Sequence, residues 1–378
     1  MDNKKKKQIQ TALIFVLMTA VCFAGGILIG KLAGGSGGQN AGEKVSTGEA
    51  LFKTFYSFAM LFVSLWLTLI IHEGGHLVFG LLTGYKLLSF RVGSLTFVKK
   101  NGRTEIKKFS IAGTGGQCIM MPPECPEPEK APFILYHAGG GILNLLTAAI
   151  FLTVGLLSGN YWVKTALVIL GGFSVMQGAF NLIPLNIKLP NDGYNLLNMK
   201  KNVGDRISIY KQLRLNGLLY EGKTYSEIPD ELFELGSEGL FGSITQIVKG
   251  AKYIEQGDFA AAEEQFAQCA GEDNPIDIYR FESKAELMFC KVMNGAPAEE
   301  IDALYDKELE KYMKAAGKTQ IGKHRQLYAY QLIYKRDARA AAGEYEAAMK
   351  LKETYPVEGE LKSELMLIDC VKKRGETI

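Results

Sequence analysis

The chain has 378 residues, of which 47% are hydrophobic, and its formal net charge is +3. The length predicts two or three domains, and the near-neutral charge gives no support for a nucleic-acid partner. The six cysteines are scattered without a Cys-x-x-Cys pair, which argues against a metal knuckle or a disulfide framework. Apolar runs fill the chain up to about Pro190, whereas Glu, Lys and Ala dominate afterwards. We therefore predict a membrane domain followed by a soluble one.

The chain opens with a predicted membrane anchor. Residues 4–7 are four lysines, and the apolar run Thr11–Gly30 that follows is of membrane-spanning length. We interpret this run as an uncleaved first helix whose basic end lies in the cytoplasm. The Gly-rich segment Gly34–Glu49 has the composition of a flexible loop. Residues 1–50 are therefore predicted to be a transmembrane anchor and an outer loop.

A second apolar run, roughly Phe55–Leu82, contains the motif His-Glu-Gly-Gly-His. Ionisable groups are costly in such a segment and by default indicate a functional site. On a helix, His72 and His76 lie one turn apart on the same face and can bind one zinc ion. Glu73 can then take a proton from a water molecule at the metal. This motif predicts a catalytic zinc centre.

The segment of about residues 85–111 changes character. Short alternating stretches surround a Lys-Asn-Gly-Arg turn, which predicts a small membrane-associated β-hairpin region. Its basic residues place it in the cytoplasm by the positive-inside rule; they are Arg91, Lys99, Lys100, Arg103, Lys107 and Lys108. An exposed strand edge could pair with an unwound substrate, or the segment could be a structured loop without substrate contact. The sequence leaves both readings open.

A third spanning helix is predicted at about Phe133–Leu157. It contains Gly140 and, four residues later, Asn144. Small residues let membrane helices approach closely, and a buried Asn requires a hydrogen-bonding partner. His137 lies just upstream, where it could touch the metal site or lie at an interface.

A fourth helix is predicted at about Trp162–Ile183, and it ends in Asn-Leu-Ile-Pro. Pro184 ends the regular helix, and Asn181 can satisfy backbone groups that are freed there. Four basic residues place this end in the cytoplasm: Lys188, Lys200, Lys201 and Arg206. The predicted topology therefore has four spans with both termini in the cytoplasm.

Asp192 is the predicted third metal ligand. A catalytic zinc site has three protein ligands and leaves one position to water. Asp192 follows the break at Pro184, at the same predicted membrane depth as the two histidines. Irregular backbone is tolerated at that depth only where it is buried or lines a wet cavity.

Together these motifs resemble the site-2 protease family of intramembrane zinc metalloproteases. The resemblance covers roughly residues 51–200 and rests on His72-Glu73-x-x-His76, Gly140 to Asn144, and Asn181-x-x-Pro184 leading to Asp192-Gly193. It implies zinc ligands at His72, His76 and Asp192, a general base at Glu73, and substrate or oxyanion support from Asn144, Asn181 and Gly140. Members of that family cut membrane-embedded proteins near the cytoplasmic face.

The chain departs from the family pattern in two places. Gly141 stands where the family usually has proline, and the stretch from Pro184 to Asp192 is longer than the family's compact form. No PDZ-like insertion is visible, so other parts of the chain would have to control substrate access.

Residues 201–378 are predicted to form a cytoplasmic α-helical domain. Two segments, Gly250–Phe266 and a partial copy at Gly343–Pro356, have tetratricopeptide-like offsets. A groove in such a domain would bind a protein partner or a substrate tail, whereas a plain helical domain would have no special groove. Both interpretations stay open at this point.

The predicted fold class is a mainly α polytopic membrane protein with four transmembrane helices, a small β region and a soluble TPR-like domain. The predicted function is an intramembrane zinc endopeptidase that acts on a membrane protein or peptide, in a bacterial plasma membrane. One alternative is a membrane-anchored helical-repeat adaptor with a vestigial protease core. Another is an anchored zinc protease whose third ligand is a Glu on a later cytoplasmic helix.

Overall fold

The computed structural model describes residues 46–377 apart from 101, 111–113, 186–189, 237–238, 272–273 and 275. By their contacts, these residues form two compact units. Among the described residues, the first unit draws on 46–83 and 132–197, and the second on 84–131 and 198–377. The predicted first helix, Thr11–Gly30, lies outside the described residues.

Three long helices build the first unit: α1 (Thr47–Leu82), α2 (Ile134–Leu157) and α3 (Tyr161–Leu182). All three are long and apolar enough to cross a membrane. They correspond to the second, third and fourth predicted spans, which are therefore confirmed as candidate spans, while the described chain shows three such helices and not four. Helix α1 begins earlier than predicted because the Ser46 side chain caps it by accepting a hydrogen bond from the Glu49 amide.

The buried side of α1 is small and polar rather than apolar. Its buried residues are Ser64, Thr68, His72, Glu73, Gly75, His76 and Gly80. Large apolar side chains such as Phe55, Phe62 and Trp66 are exposed instead. This distribution reverses that of a water-soluble helix and is typical of helices that pack against each other in lipid.

The first turn of α3 meets the N-terminal third of α1. The Tyr56 hydroxyl donates a hydrogen bond of 2.9 Å to the Trp162 carbonyl, and the Phe52 and Trp162 rings lie 5.3 Å apart. Because α3 begins beside Tyr56 and runs in the same direction as α1, the end of α3 lies near the second half of α1. That arrangement brings the segment after α3 to the level of the histidines.

The second unit contains a four-stranded antiparallel sheet in the order β3-β2-β1-β4. Its strands are β1 (Lys86–Val92), β2 (Leu95–Lys100), β3 (Arg103–Lys108) and β4 (Gly116–Met121). The small β region predicted at about residues 85–111 is confirmed as β1, β2 and β3, and the sheet extends beyond it to β4. Strand β4 was missed because its sequence, Gly-Gln-Cys-Ile-Met-Met, lacks the alternating pattern on which the prediction depended.

The sheet packs against α5 (Val203–Tyr220) of the C-terminal part. Leu88, Val98, Met121 and Tyr220 form one buried cluster. The Ser89 hydroxyl also donates to the Tyr220 hydroxyl over 3.2 Å. The sequence analysis placed the β segment within residues 51–200, whereas its contacts group it with the helices that follow residue 198.

The other helices begin with α4 (Asp192–Lys201), which starts in the first unit. The second unit continues with α6 (Gly239–Glu255), α7 (Phe259–Ala267), α8 (Asp277–Asn294), α9 (Ala298–Leu304), α10 (Lys307–Ala316), α11 (Ile321–Ala329), α12 (Ala338–Lys352) and α13 (Glu358–Gly375). A π-helical segment, Tyr330–Lys335, follows α11. The described chain also has three short 3₁₀ turns, at Pro128–Lys130, Tyr225–Glu227 and Asp230–Phe233. The helices from α6 onward share one large apolar core that runs from Ile254 to Val371.

Helices α6 and α7 form an antiparallel pair at the first tetratricopeptide-like segment. Gly257, at a φ of 79°, turns the chain between them. Gly250 lies against the Phe266 ring, which would be only 2.5 Å from a Cβ placed at that glycine. Ala262 and Phe266 are fully buried in the common core. The hairpin is thus present, while its assignment to a repeat family stays a prediction.

Candidate metal centre

Helices α1 and α2 cross where two glycines face each other. A Cβ on Gly75 would collide with the backbone of Gly139, and a Cβ on Gly139 would lie 2.7 Å from the Gly75 carbonyl oxygen. Real Cβ atoms do not approach other atoms this closely, so the crossing requires glycine at both positions. This close approach places the next turn of α2 directly over the two histidines of α1.

Gly140 is the residue of α2 that faces the imidazoles. A Cβ there would lie 2.5 Å from Cε1 of His72 and 2.6 Å from Nε2 of His76. The absence of a side chain at Gly140 therefore leaves the space in which both rings sit. The resemblance assigned Gly140 to the site, and the structure gives it this steric role.

Asn191 builds the turn that delivers Asp192. Its side chain makes four hydrogen bonds of 2.7–3.0 Å: its Oδ1 accepts from the amides of Leu185 and Tyr194, and its Nδ2 donates to the carbonyls of Phe180 and Ile183. These bonds tie the last turn of α3 to the first turn of α4. Asp192 is the first residue of α4 and points back from there to α1.

Three ligand-type atoms form a nearly equilateral triangle. Nε2 of His72 lies 3.2 Å from Nε2 of His76. Oδ2 of Asp192 lies 3.2 Å from the first of these nitrogens and 3.3 Å from the second. Both histidines are buried, at 6% and 7% exposure, and Asp192 is partly accessible. Among the described residues, His72, His76 and Asp192 are therefore a group that could hold one metal ion.

The protonation of His76 suits a metal ligand. Its Nδ1 lies 2.7 Å from the carbonyl oxygen of Tyr136, and a carbonyl can only accept. The Nδ1 proton therefore donates to this oxygen, and the Nε2 lone pair is left to point into the triangle. Such a carbonyl partner fixes both the tautomer and the ring orientation of a ligating histidine.

Two further polar residues of the predicted site are buried beside the triangle. Glu73 is 8% exposed and is close enough to His76 to interact with it electrostatically. Asn144 is completely buried one turn beyond Gly140, and within the described chain neither its Oδ1 nor its Nδ2 has a hydrogen-bond partner. A buried amide without protein partners is costly, so Asn144 is the buried polar group beside the triangle whose hydrogen-bonding capacity is unused in the described chain.

The other predicted residues are placed less directly. Asn181 donates from Nδ2 to the Gln177 carbonyl over 3.0 Å, which is a contact within α3. His137 is buried, but its ring is not part of the triangle among the residues that the structure describes. The structure therefore brings together His72, His76 and Asp192 and places Gly140 against them.

Asn191 and Tyr136 are the residues that the sequence analysis missed. A signal for Asn191 was available, because an Asn directly before an Asp-Gly pair is a good helix N-cap. The role of Tyr136 depends on its backbone carbonyl, so no side-chain pattern could have identified it.

Comparison with known proteins adds no relative. No family model, no curated protein and no solved structure matches the chain.

We expect Asn191→Ala to weaken metal binding by about 10- to 100-fold, the usual effect of losing a group that orients a ligand. The four hydrogen bonds that fix the turn before Asp192 would be lost. The dissociation constant of zinc, measured by competition with a chelating dye, checks this. Asn160→Ala is the matched control, because Asn160 caps the other end of α3 through its own side chain. Equal affinity in the two variants would contradict the positioning role.

Proposed function

We propose that this protein is an intramembrane zinc endopeptidase of the site-2 protease type. The observation that carries the proposal is the triangle of His72, His76 and Asp192, buried between helices of membrane-spanning character with Glu73 beside it. Ionisable residues in such helices are retained for function because they are costly to place in lipid.

Zinc is the proposed metal because the distances and donor types suit it. Bonds of about 2.0–2.1 Å in tetrahedral geometry place zinc ligand atoms roughly 3.3 Å apart. The three sides of the triangle, 3.2, 3.2 and 3.3 Å, agree with one face of such a tetrahedron. Two imidazoles and one carboxylate are a common donor set of catalytic zinc, and the fourth position stays open.

The residues around the triangle have distinct proposed roles. Zinc, when bound, supplies a Lewis acid that makes water more acidic and polarises a carbonyl. Glu73 accepts the proton of the attacking water and passes it to the leaving amine. Asp192 and the two histidines hold the metal, and the Tyr136 carbonyl keeps His76 in the required tautomer.

Asn144 is proposed to bind the substrate. Its amide is buried without a partner on the face of α2 that also carries Gly140. It can donate to a substrate carbonyl and stabilise the oxyanion that develops there, which is the usual use of a preorganised donor. Asn181 is proposed to support the same step by holding the last turn of α3, where its hydrogen bond to Gln177 lies.

The remaining proposals concern the surroundings of the site. The substrate would be a membrane protein or peptide that is cut near the cytoplasmic face. The protein itself would lie in a bacterial plasma membrane, with both of its termini in the cytoplasm. The open edges of the sheet, β3 and β4, could pair with an unwound substrate strand. The C-terminal helices would be TPR-like and would bind a protein partner or the substrate tail.

Zinc content of the detergent-purified protein tests the proposal. We expect about one zinc ion per chain in the wild type and little in His72→Ala or Asp192→Asn, since two ligands do not form a stable site. His324→Ala is the control, because that histidine contacts Glu344 and the Gly317 carbonyl in the second unit.

Each outcome has a clear meaning. Zinc that survives Asp192→Asn would show that another residue is the third ligand, as an anchored protease with a later Glu ligand would require. A wild-type protein that binds no zinc even after remetallation would contradict the proposal that the protein is a zinc protease.

A further inference from the structure

The second unit contains a cavity of about 610 Å³ that opens to the surface. It lies between the sheet and the helices α5, α8, α10 and α13. Its volume is in the range of small-ligand sites. Its wall contains six aromatic side chains and four glutamates beside aliphatic and amide groups; the glutamates are Glu282, Glu286, Glu360 and Glu364.

The wall carries more negative than positive charge. Lys323 borders the cavity and lies 2.5 Å from Glu282. Arg325 is 1% exposed, does not border the cavity, and pairs with Glu286 at 2.6 Å and Glu364 at 2.7 Å. Two cations thus face four carboxylates, and both cations are already engaged. The fourth carboxylate, Glu360, is left in excess.

The Tyr355 hydroxyl lies beside Glu360 and favours its ionised form. Burial, and then the charge of Glu364, nevertheless raise the pKa of Glu360 to about 7. The other groups that act on it are Glu282 and Lys323, with Tyr220 and Tyr225 nearby. A cation placed beside such a carboxylate stabilises its ionised form.

The aromatic wall and several amides suit a peptide rather than a bare ion. The faces of tyrosine and phenylalanine attract ammonium and guanidinium groups and cover their aliphatic stems. Amide side chains at the cavity can hydrogen-bond a peptide backbone in both directions; they are Gln117, Gln212, Asn216 and Gln320. A peptide with a basic side chain uses both features at once.

We propose that this cavity binds an extended peptide segment of a protein partner and takes up one of its lysine or arginine side chains against Glu360. The inference depends on the second unit alone and does not require that the first unit hydrolyses peptides. It gives the C-terminal helices a partner of defined chemistry, a basic segment.

Fluorescence anisotropy with the full-length protein in detergent tests the proposal. The probe is a fluorescein-labelled peptide, Gly-Ala-Arg-Ala-Lys-Ala, and its neutral counterpart has citrulline and norleucine at the basic positions. We expect the basic probe to bind at least about tenfold more tightly than the neutral one, as a charged hydrogen bond would give. No binding, or equal binding of both probes, would overturn the proposal.

Variants locate the binding. We expect Glu360→Gln, which keeps a polar acceptor beside Tyr355, to lower the affinity for the basic probe by about 10- to 100-fold. Ala315→Trp should abolish binding, because Ala315 is exposed at the cavity and a large ring there blocks it while leaving the core intact. Glu310→Gln, an exposed glutamate on the same helix, is the matched control. Unchanged affinity in Glu360→Gln and Ala315→Trp, with unchanged melting temperature, would overturn the proposal.

The pH dependence and a free amine provide two further readouts. Because the ionised carboxylate binds the cation, wild-type affinity should rise as the pH increases through about 7, and this rise should be absent in Glu360→Gln. Spermidine should compete only weakly because it cannot use the amide groups. If spermidine competed as strongly as the unlabelled peptide, the proposal that a peptide occupies the cavity would be overturned.

Discussion

Glu73→Gln is expected to lower peptide hydrolysis by about 10²–10⁴-fold, the usual contribution of a general base. Glutamine has the shape of glutamate but cannot accept the proton of the attacking water at neutral pH. The three ligand atoms are untouched, so zinc content should equal that of the wild type. Cleavage of quenched single-span peptides in detergent, measured beside zinc content, checks both expectations.

Glu49→Gln is the matched control for this variant. Glu49 lies at the other end of the same helix, exposed to solvent and paired with Lys53. Removing a pair of this kind costs little, so activity should be unchanged. Full activity in Glu73→Gln would show that Glu73 is not the general base.

The adaptor alternative predicts a different pattern for the same variant. A membrane-anchored adaptor with a vestigial core would show no cleavage in the wild type and normal partner binding in Glu73→Gln. Binding of the basic peptide to the second unit and hydrolysis by the first are separate measurements. The two hypotheses can therefore be distinguished with one set of proteins.

Gly75→Ala and Gly140→Ala are expected to remove zinc binding, although each adds only one methyl group. The methyl of Gly75→Ala would meet the backbone of Gly139, which cannot move aside as a side chain can. The methyl of Gly140→Ala would lie 2.5 Å from the His72 ring. Overpacking of this kind typically costs about 1–3 kcal/mol and shifts the backbone. Zinc affinity and melting temperature check the expectation.

Gly74→Ala is the control within the same motif. A Cβ at Gly74 meets nothing within 4 Å. Alanine has a higher helix propensity than glycine by up to about 1 kcal/mol, so this variant should be as stable as the wild type or more so. If Gly74→Ala and Gly75→Ala lost zinc equally, the close crossing of α1 and α2 would not explain the need for glycine.

The sequence was sufficient where a pattern repeats locally. The apolar runs predicted the three described long helices, and the spacing of His72 and His76 predicted that both lie on one face of α1. The helix break at Pro184 predicted Asp192 as the third ligand, and the structure places Asp192 Oδ2 within 3.3 Å of both histidine Nε2 atoms. Each of these predictions depends on helix geometry or on the cost of burying charge.

The sequence was insufficient where the contact is made by backbone or by distant segments. The Tyr136 carbonyl, the pairing of β4 with β1 and the four bonds of Asn191 are all set by tertiary structure. The cavity around Glu360 unites the sheet with helices that follow much later in the chain, so no local pattern could reveal it. Its four glutamates looked like ordinary surface charges in a helical domain.

The order of the chain determines when the triangle can form. His72 and His76 are synthesised early, whereas residues 77–191, with the sheet, α2 and α3, precede the carboxylate that joins them. Closing so long a loop is a late event in folding, because its entropy is lost before the contact is gained. A nascent or truncated chain would thus hold two histidines without their third partner. Under the proposed function, the centre would stay inert until the whole first unit is assembled, and neighbouring membrane proteins would be protected during biogenesis.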